Sequence, residues 1–429
     1  MSSKQPVTIY FYPLLEDGKL IDESKLFEVN KQEHTFEYVL YIHIPYCLSH
    51  CTFCPFNTKV IKDGDETAKY IEALCSEIEM VSQLSKDAKI TSVYYGGGSP
   101  SVLKPNDILR IHELINDKFD IKNAEISFEG ELRTLSKDSI LSIMRDINVN
   151  RISLGLQTFD DKLRKMFNIP FSSLEASEMI YKLKNSGVDE LNIDMMYGLP
   201  GHGVENLAND INRLVKLEVD SVDYYRLHPY SLPFSQRGDW SKYADNQKAN
   251  FITEIIERFQ LAGYDNVCDQ IYSKLGLSKY SQLMWGNAST TSGSNMIGLG
   301  ASSRGYINGR SYMNIATIKE YIEKINQNKL PIEKVSKQCG NIERNFIFSP
   351  KYLHIPSEFT KYDKFKQVID QWMKDGLVYF DNGYFSLTNS GRFQVDNMII
   401  DAMSDSQYKL ATGIERKISN IENLRTGRF

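Results

Sequence analysis

Tyr41-Ile-His-Ile-Pro-Tyr-Cys47-Leu-Ser-His-Cys51-Thr-Phe-Cys54-Pro-Phe56 is the stretch on which the reading of this chain turns. Three of its six cysteines fall within eight residues, at C-x3-C-x2-C spacing. One short loop can then present Cys47, Cys51 and Cys54 as thiolates to three corners of a cubane iron–sulfur cluster, and thiolate is the soft ligand such clusters select. The fourth iron has no ligand from this loop and is open to a substrate or cofactor. The same residues read as a zinc knuckle if His43 or His50 completes a closed set of four. Cys75, Cys268 and Cys339 are scattered and read as small buried apolar residues.

Outward from the loop, strands and helices alternate. Residues 38–44, rich in β-branched and aromatic side chains, predict a strand that leads into the cysteines. Helical spacing predicts helices over 66–86, 105–117, 136–146, 173–186 and 203–217. Apolar runs predict strands over 91–95, 124–129, 151–157, 190–196 and 221–227. Six strand–helix units imply a parallel sheet with right-handed crossovers, short of the eight that close a barrel. The fold class is therefore α/β, a partial (β/α)6 barrel. Ligands of such arrays bind at the carboxyl ends of the strands. Gly96-Gly-Gly-Ser-Pro100 ends the second strand, so its backbone amides and carbonyls face the same mouth as the cysteine loop.

After residue 260 the pattern reads as irregular, through a Gly/Ser/Asn-rich stretch at 286–310, with helices resuming near 317–327. An amphipathic helix at 361–375, a hairpin turn at Asp381-Asn-Gly383 and a helix at 391–403 form a small winged-helix-like α+β unit. The basic tail at 413–429 reads as loosely ordered. The domain reading is an N-terminal extension (1–36), a core (37–260), a connecting region completing it (261–340) and a C-terminal domain (341–429). That agrees with about 150 residues per domain in a chain of 429.

The net charge of −5 excludes a generally basic nucleic-acid coat. Apolar residues at 41% exclude global disorder. No run of 18 apolar residues or long apolar leader is present, so a cytoplasmic protein without membrane or nucleic-acid partners is expected.

The ordered motifs resemble the radical S-adenosylmethionine superfamily, and its HemN-like branch in particular. They are the cysteine string above, Tyr94-Tyr-Gly-Gly-Gly-Ser-Pro100, Arg151-Ile-Ser-Leu-Gly-Leu-Gln-Thr-Phe159, Asn192-Ile-Asp-Met-Met-Tyr-Gly-Leu-Pro200, Ile297-Gly-Leu-Gly300, Gly376-Leu-Val378 and Leu387-Thr-x-x-Gly391-Arg392. The resemblance covers about residues 38–400. It implies a radical-SAM barrel with a C-terminal HemN domain and a [4Fe–4S] cluster on Cys47, Cys51 and Cys54. S-adenosylmethionine would chelate the unique iron and yield a 5′-deoxyadenosyl radical. It further implies that Gly97, Gly98 and Ser99 contact the methionine part, Phe53 lies near adenine and Tyr41 contacts the ligand. Glu129, Gln157 and Asp194, at successive strand ends, match positions around the bound molecule. The cationic sulfonium and ammonium groups favour nearby carboxylates in any case.

HemN-like enzymes often bind two S-adenosylmethionine molecules, and two are expected here, with a flavodoxin- or ferredoxin-type electron donor. The arginine associated with the second molecule falls on Ile169, leaving Arg164 or Lys165 as substitutes. The extra cysteine of coproporphyrinogen oxidases is replaced by Phe56, and only Trp285 remains of the heme-carrier motif within Tyr280-Ser-Gln-Leu-Met-Trp285. Phe128-Glu-Gly-Glu131 is nearer to the ChuW/HutW group. The expected activity is therefore transfer of a methyl or methylene carbon to an unactivated carbon of a tetrapyrrole or natural-product substrate. The alternatives are coproporphyrinogen-type oxidation without methyl transfer, and a heme carrier. His228 is read as a catalytic proton donor or acceptor. Tyr225 and Arg226 lie beside it, and Arg304, Tyr306 and Arg310 are candidates for an anionic substrate.

Overall fold

A computed structural model describes residues 9–16, 22–28, 36–54, 56–62, 64–227, 240–285 and 293–420, without the side chains of 240–246 and 414–420. Six strands form its centre: β1 (Glu37–Ile44), β2 (Lys89–Gly97), β3 (Glu125–Gly130), β4 (Arg151–Gln157), β5 (Glu190–Tyr197) and β6 (Ser221–Arg226). They pair in parallel in chain order. The crossovers are α1 (Gly64–Leu84), α2 (Pro105–Lys118), α3 (Asp138–Asp146), α4 (Ser173–Lys184) and α5 (Val204–Lys216), and α6 (Trp240–Leu261) follows β6. This is the partial (β/α)6 barrel that the alternation implies.

Side chains alternate across each strand. One set, including Leu40, Ile42, Val93, Phe128, Ile152, Leu154, Ile193 and Val222, packs on Leu74, Ile78, Ile111, Ile115, Ile180, Leu183 and Ile211 of the helices. The other set faces the barrel interior. It is polar or small: Ser92, Tyr94 and Gly96; Ser127 and Glu129; Arg151, Ser153 and Gly155; Asn192 and Asp194; Ser221 and Asp223. Closed eight-stranded barrels fill this space with branched aliphatics. Here the interior is built for a polar ligand.

The region past residue 260 is not irregular. It supplies β7 (Asp265–Cys268), β8 (Ile271–Ser273), β9 (Ser294–Leu299), β10 (Arg304–Ile307), β11 (Arg310–Asn314) and β12 (Ile332–Val335). Among the described residues they extend the barrel into a twelve-stranded sheet of order β12-β11-β10-β9-β1-β2-β3-β4-β5-β6-β8-β7. β9 runs parallel to β1, while β8 pairs with β6, and β10–β12 form a meander, in antiparallel register. Two glycines of this stretch, Gly298 and Gly305, sit inside these strands and permit close approach. A Cβ on Gly298 would lie 2.1 Å from the Arg304 carbonyl oxygen, and one on Gly305 would lie 2.4 Å from the Tyr312 ring.

α7 (Lys279–Met284) lies beneath the interior. The backbone N–H groups of Lys279 and Tyr280 donate to the Glu125 carboxylate at 2.6 and 3.1 Å, which satisfies two donors of its first turn. In the N-terminal segment, Phe11 packs, with Tyr41 and Tyr280, against the buried cluster of Val39, Leu283 and Met296. Tyr12 and Leu14 join a second apolar core with Phe346, Phe359, Trp372 and Met398 of the C-terminal unit. In that unit β14 (Val378–Asp381) and β15 (Tyr384–Leu387) form the expected hairpin, flanked by β13 (His354–Pro356). Its two-residue turn has positive φ at both Asn382 (48°) and Gly383 (86°), as a type I′ turn requires. The chain then continues as helix from Asp405 to Asn420, which takes in the first part of the tail read as loosely ordered; residues 421–429 lie outside the described residues. No helix among the described residues is long and apolar enough to cross a membrane.

One buried carboxyl ties α1 to the sheet. Glu77, 1% exposed, accepts from Gly300 N–H (2.7 Å), Asn314 Nδ2 (2.6 Å) and the Tyr321 hydroxyl (2.6 Å). Burial pushes it up to about 7, against the pull of those three donors. A carboxyl whose folded pKa is raised contributes stability that is complete below its unfolded value near 4.5 and is lost as pH rises through about 7. Chemical denaturation of wild type and Glu77→Gln from pH 4.5 to 8 is expected to show wild type more stable at the acidic end. The gap should narrow by up to about 3 kcal/mol as pH rises, and a pH-independent gap would contradict this assignment.

Candidate active site

The cysteine loop leaves β1 at Pro45 and is held by backbone bonds. Lys59 N–H donates to Pro45 O (2.8 Å), Ile61 N–H to Cys47 O (2.9 Å) and Cys54 N–H to Cys51 O (3.1 Å). All three cysteines are free and half-buried. Burial, reinforced by the facing thiol of Cys54, pushes Cys47 up to about 12 and Cys51 to about 11. The Cys54 thiol is close enough to Cys47 and Cys51 to raise both, so the three share one loop surface. Iron bound there would hold all three as thiolates. His43, one of the two histidines that could complete a zinc set, is turned away from this role. Its Nδ1 meets the Tyr41 hydroxyl at 3.2 Å, and burial lowers its pKa to about 4. Among the described residues no three His, Cys, Asp or Glu side chains converge on a single-ion position.

Each glycine of the β2 triplet is required for a different reason. A Cβ on Gly96 would lie 2.9 Å from Glu129 Oε2. Gly97, at φ +110°, would place one 2.7 Å from the His43 ring. On Gly98 it would lie 2.5 Å from Tyr46 O and 3.0 Å from Cys47 Sγ. Gly98 N–H donates to Ile44 O (2.8 Å) and Ser99 N–H to Tyr46 O (2.7 Å), so the end of β2 is stitched to the cysteine loop. The Ser99 hydroxyl turns inward, beside Ser101 Oγ at 3.1 Å, and accepts Glu131 N–H at 3.1 Å.

Glu129 is fixed in the mouth by two donors, the Tyr94 hydroxyl on Oε1 at 2.5 Å and Gly97 N–H on Oε2 at 3.1 Å. Tyr94 stacks on Tyr41 (centroids 5.9 Å apart, 19° between planes) and on Tyr280 (3.9 Å, 25°). Asp194 accepts from Ser153 Oγ (3.1 Å) and Asn192 Nδ2 (2.9 Å), and Asp223 from the Tyr225 hydroxyl (3.0 Å). Burial holds all three carboxyls above the usual carboxylate range. Mutual repulsion adds to this at Asp194 through Asp223 and Glu129. The buried cation among them, Arg151, is engaged by Glu190 at 3.0 Å. A cationic ligand placed here would relieve the excess negative charge and reverse the shifts. That is the charge type S-adenosylmethionine carries.

Gln157 ends β4 in the left-handed region, at φ +75°. Such a conformation costs of the order of 1–3 kcal/mol for a residue with a side chain and persists where its surroundings over-determine it. Arg164 does this. Its guanidinium donates to Leu156 O (3.0 Å), Thr158 O (2.7 Å), Pro170 O (2.5 Å) and Phe171 O (2.9 Å). Asp210 accepts from Phe159 N–H and Thr158 Oγ1, both at 2.8 Å. Arg164 is therefore a buried clamp and not a cation available to a second ligand, while Lys165 points to solvent. Ile169 and Phe53 pack together with Phe167, Met196, Leu199 and Leu227 in one apolar cluster.

Of the remaining candidates, His228 lies outside the described residues. Tyr306 is buried against Asn341 and Arg344, and Arg310 donates to Ser336 O. Neither of these faces the mouth. Trp285 is packed against Tyr352 and Lys351. Sequence reasoning missed Tyr94, Arg151 and Asp223.

A family model described as the Radical SAM superfamily matches residues 41–214. The heme chaperone HemW of Buchnera aphidicola (subsp. Acyrthosiphon pisum) is 31% identical over 283 residues, 65% of this chain and 73% of that protein. Anaerobilin synthase of Escherichia coli O157:H7 is 28% identical over 391 residues, 86% of this chain and 85% of that one. The fold is similar to that of the coproporphyrinogen III oxidase HemN from Escherichia coli, with a TM-score of 0.76 at 21% identity, covering 90% of this chain and 94% of that one. The chain belongs to the radical SAM superfamily, in its HemN-like branch. Membership implies a [4Fe–4S] cluster and S-adenosylmethionine, and the thiol set, the glycine triplet and the carboxylates fit both.

Replacing Cys47, Cys51 or Cys54 by Ala is expected to abolish the cluster absorbance near 400 nm after anaerobic reconstitution. The buried Cys75, Cys268 and Cys339 should each be dispensable for it. Iron and sulfide content checks this, and loss of cluster in Cys268→Ala or Cys339→Ala alone would contradict it.

Proposed function

We propose that this radical SAM enzyme abstracts hydrogen from a tetrapyrrole substrate, using one S-adenosylmethionine and no one-carbon transfer. Cys47, Cys51 and Cys54 would hold the cluster. Gly97, Gly98 and Glu129 would receive the methionine part, with Tyr41, Gln157 and Asp194 around the rest and Phe53 beside the adenine. When bound, the reduced cluster and S-adenosylmethionine supply a 5′-deoxyadenosyl radical. The protein's part is to orient the ligand and to keep water from the mouth. A flavodoxin- or ferredoxin-type donor is the electron source in this reading.

The stitching of the glycine triplet to the cysteine loop carries the radical assignment, because it fixes Glu129 and the three thiols in one rigid frame. The engaged state of Arg164 favours a single S-adenosylmethionine, since neither it nor Ile169 offers a cation for a second. One-carbon transfer, the activity the motifs first favour, draws no support from the described site. The tetrapyrrole class is supported by the relatives, a heme chaperone and a coproporphyrinogen III oxidase. A heme-carrier role is disfavoured by the packed state of Trp285, the one residue left of that motif.

The test is an anaerobic, reduced assay with methyl-labelled S-adenosylmethionine, offered iron protoporphyrin IX or coproporphyrinogen III. The expected products are 5′-deoxyadenosine and a macrocycle without label, with no S-adenosylhomocysteine above background. Glu129→Gln should lower 5′-deoxyadenosine formation by about 100-fold at unchanged iron and sulfide content. Label in the macrocycle together with S-adenosylhomocysteine would restore one-carbon transfer. Stoichiometric heme binding without any 5′-deoxyadenosine would favour the carrier.

A further inference from the structure

Among the arginines in or near the barrel, Arg151, Arg164 and Arg344 are buried and hydrogen-bonded, and Arg304 is half-buried. Arg151 pairs with Glu190 at 3.0 Å. Arg164 donates to four backbone carbonyls. Arg344 donates to Met284 O at 2.7 Å and lies 4.0 Å from the Tyr306 ring centroid. Arg304 differs. Among the described residues its guanidinium has no hydrogen bond and no carboxylate, and its one polar contact is the face of Phe11, 5.5 Å from the ring centroid. Burial lowers its pKa, and no acid offsets this.

Its place in the sheet is informative. Arg304 opens β10, against Gly298 of β9, whose missing Cβ lets the two backbones touch. Gly298 is in register with Tyr41 of β1. Phe11, whose ring faces the guanidinium, packs with Tyr41 and Tyr280 against the buried cluster of Val39, Leu283 and Met296, and Tyr41 and Tyr280 both stack on Tyr94, the donor to Glu129. The free cation therefore stands at the edge of an aromatic ladder that begins at the proposed ligand site. A cation–π contact recovers only part of the cost of desolvating a guanidinium. Its planar fork of donors matches a carboxylate.

We infer that Arg304 anchors a carboxylate of the substrate, with the aromatic surface of Phe11, Tyr41 and Tyr280 beside the substrate's conjugated ring. This rests on the tetrapyrrole reading, whose macrocycles carry carboxylate side chains. Arg304 is a specificity-determining residue in this account and makes no contact with S-adenosylmethionine.

The experiment titrates hemin and hemin dimethyl ester into the full-length, cluster-loaded chain, read by Soret absorbance. Binding of S-adenosylmethionine and the melting temperature are measured in parallel. Wild type is expected to bind the free acid at least about tenfold more tightly than the ester. Arg304→Gln should erase that preference, Arg304→Lys should keep part of it, and neither should change S-adenosylmethionine affinity. Because the cation is uncompensated, Arg304→Gln should melt no lower than wild type. Equal affinity of wild type for acid and ester overturns the inference and leaves the tetrapyrrole reading standing. So does an acid preference that survives in Arg304→Gln. A loss of S-adenosylmethionine binding in Arg304→Gln, or a lowered melting temperature with acid and ester weakened alike, also overturns it. Failure of wild type to bind either macrocycle removes the tetrapyrrole reading and this inference together.

Discussion

The backbone of Gly98 lies against the carbonyl of Tyr46 so closely that no side chain fits between them. Two hydrogen bonds, from Gly98 and Ser99 to the residues that enter the cysteine loop, hold the contact. The rest of the site depends on it. It fixes the loop relative to β2, and through Gly97 N–H it fixes Glu129 on β3. The thiols and the carboxylate thus belong to one rigid unit before any ligand arrives. Preorganisation of this kind matters for radical chemistry, where a misplacement of about 1 Å can cost about 100-fold in rate.

The second constraint is electrical. Glu129, Asp194 and Asp223 share an interior whose buried arginine, Arg151, is already engaged by Glu190. The carboxyls are held above their usual range because they are desolvated, and crowding adds to this at Asp194. An unliganded barrel is in this sense under tension that a cation releases. Arg304 is the complementary case, a guanidinium with no acid partner among the described residues. Among the described residues, carboxyls without a paired cation lie in the barrel interior, and a cation without a paired acid lies across the aromatic cluster from them. On the proposed reading, this arrangement would separate a cationic cofactor from an anionic substrate.

The six barrel strands were legible because β-branched and aromatic runs are bounded by glycine, asparagine and charged residues. The cysteine triplet was legible from its spacing. The strands between 294 and 314 were not, because Gly298, Gly300, Gly305 and Gly309 carry turn chemistry in a sequence reading. In the fold, those at 298 and 305 serve close strand packing. The interior set had a signal that went unused. Parallel strands covered on both faces are apolar throughout, yet Ser92, Ser127, Ser153, Asp194 and Asp223 recur at every second position of apolar runs. That alternation marks a polar lumen and would have brought in Tyr94, Arg151 and Asp223. The direction of Arg164 into a backbone clamp had no signal, because nothing in a short helix says which side a long cation takes. The left-handed turn at Gln157 was equally hidden, since it is imposed by Arg164 and Asp210 from outside the strand.

The central claim is that the cysteine loop, the glycine triplet and Glu129 form one preassembled site for a cluster and its chelated S-adenosylmethionine. Low-temperature electron paramagnetic resonance of the reduced, reconstituted protein, recorded with and without S-adenosylmethionine, tests it most directly. The account predicts a [4Fe–4S]⁺ signal whose g values shift when S-adenosylmethionine is added, with one molecule bound per chain. A cluster signal that S-adenosylmethionine leaves unchanged would contradict it.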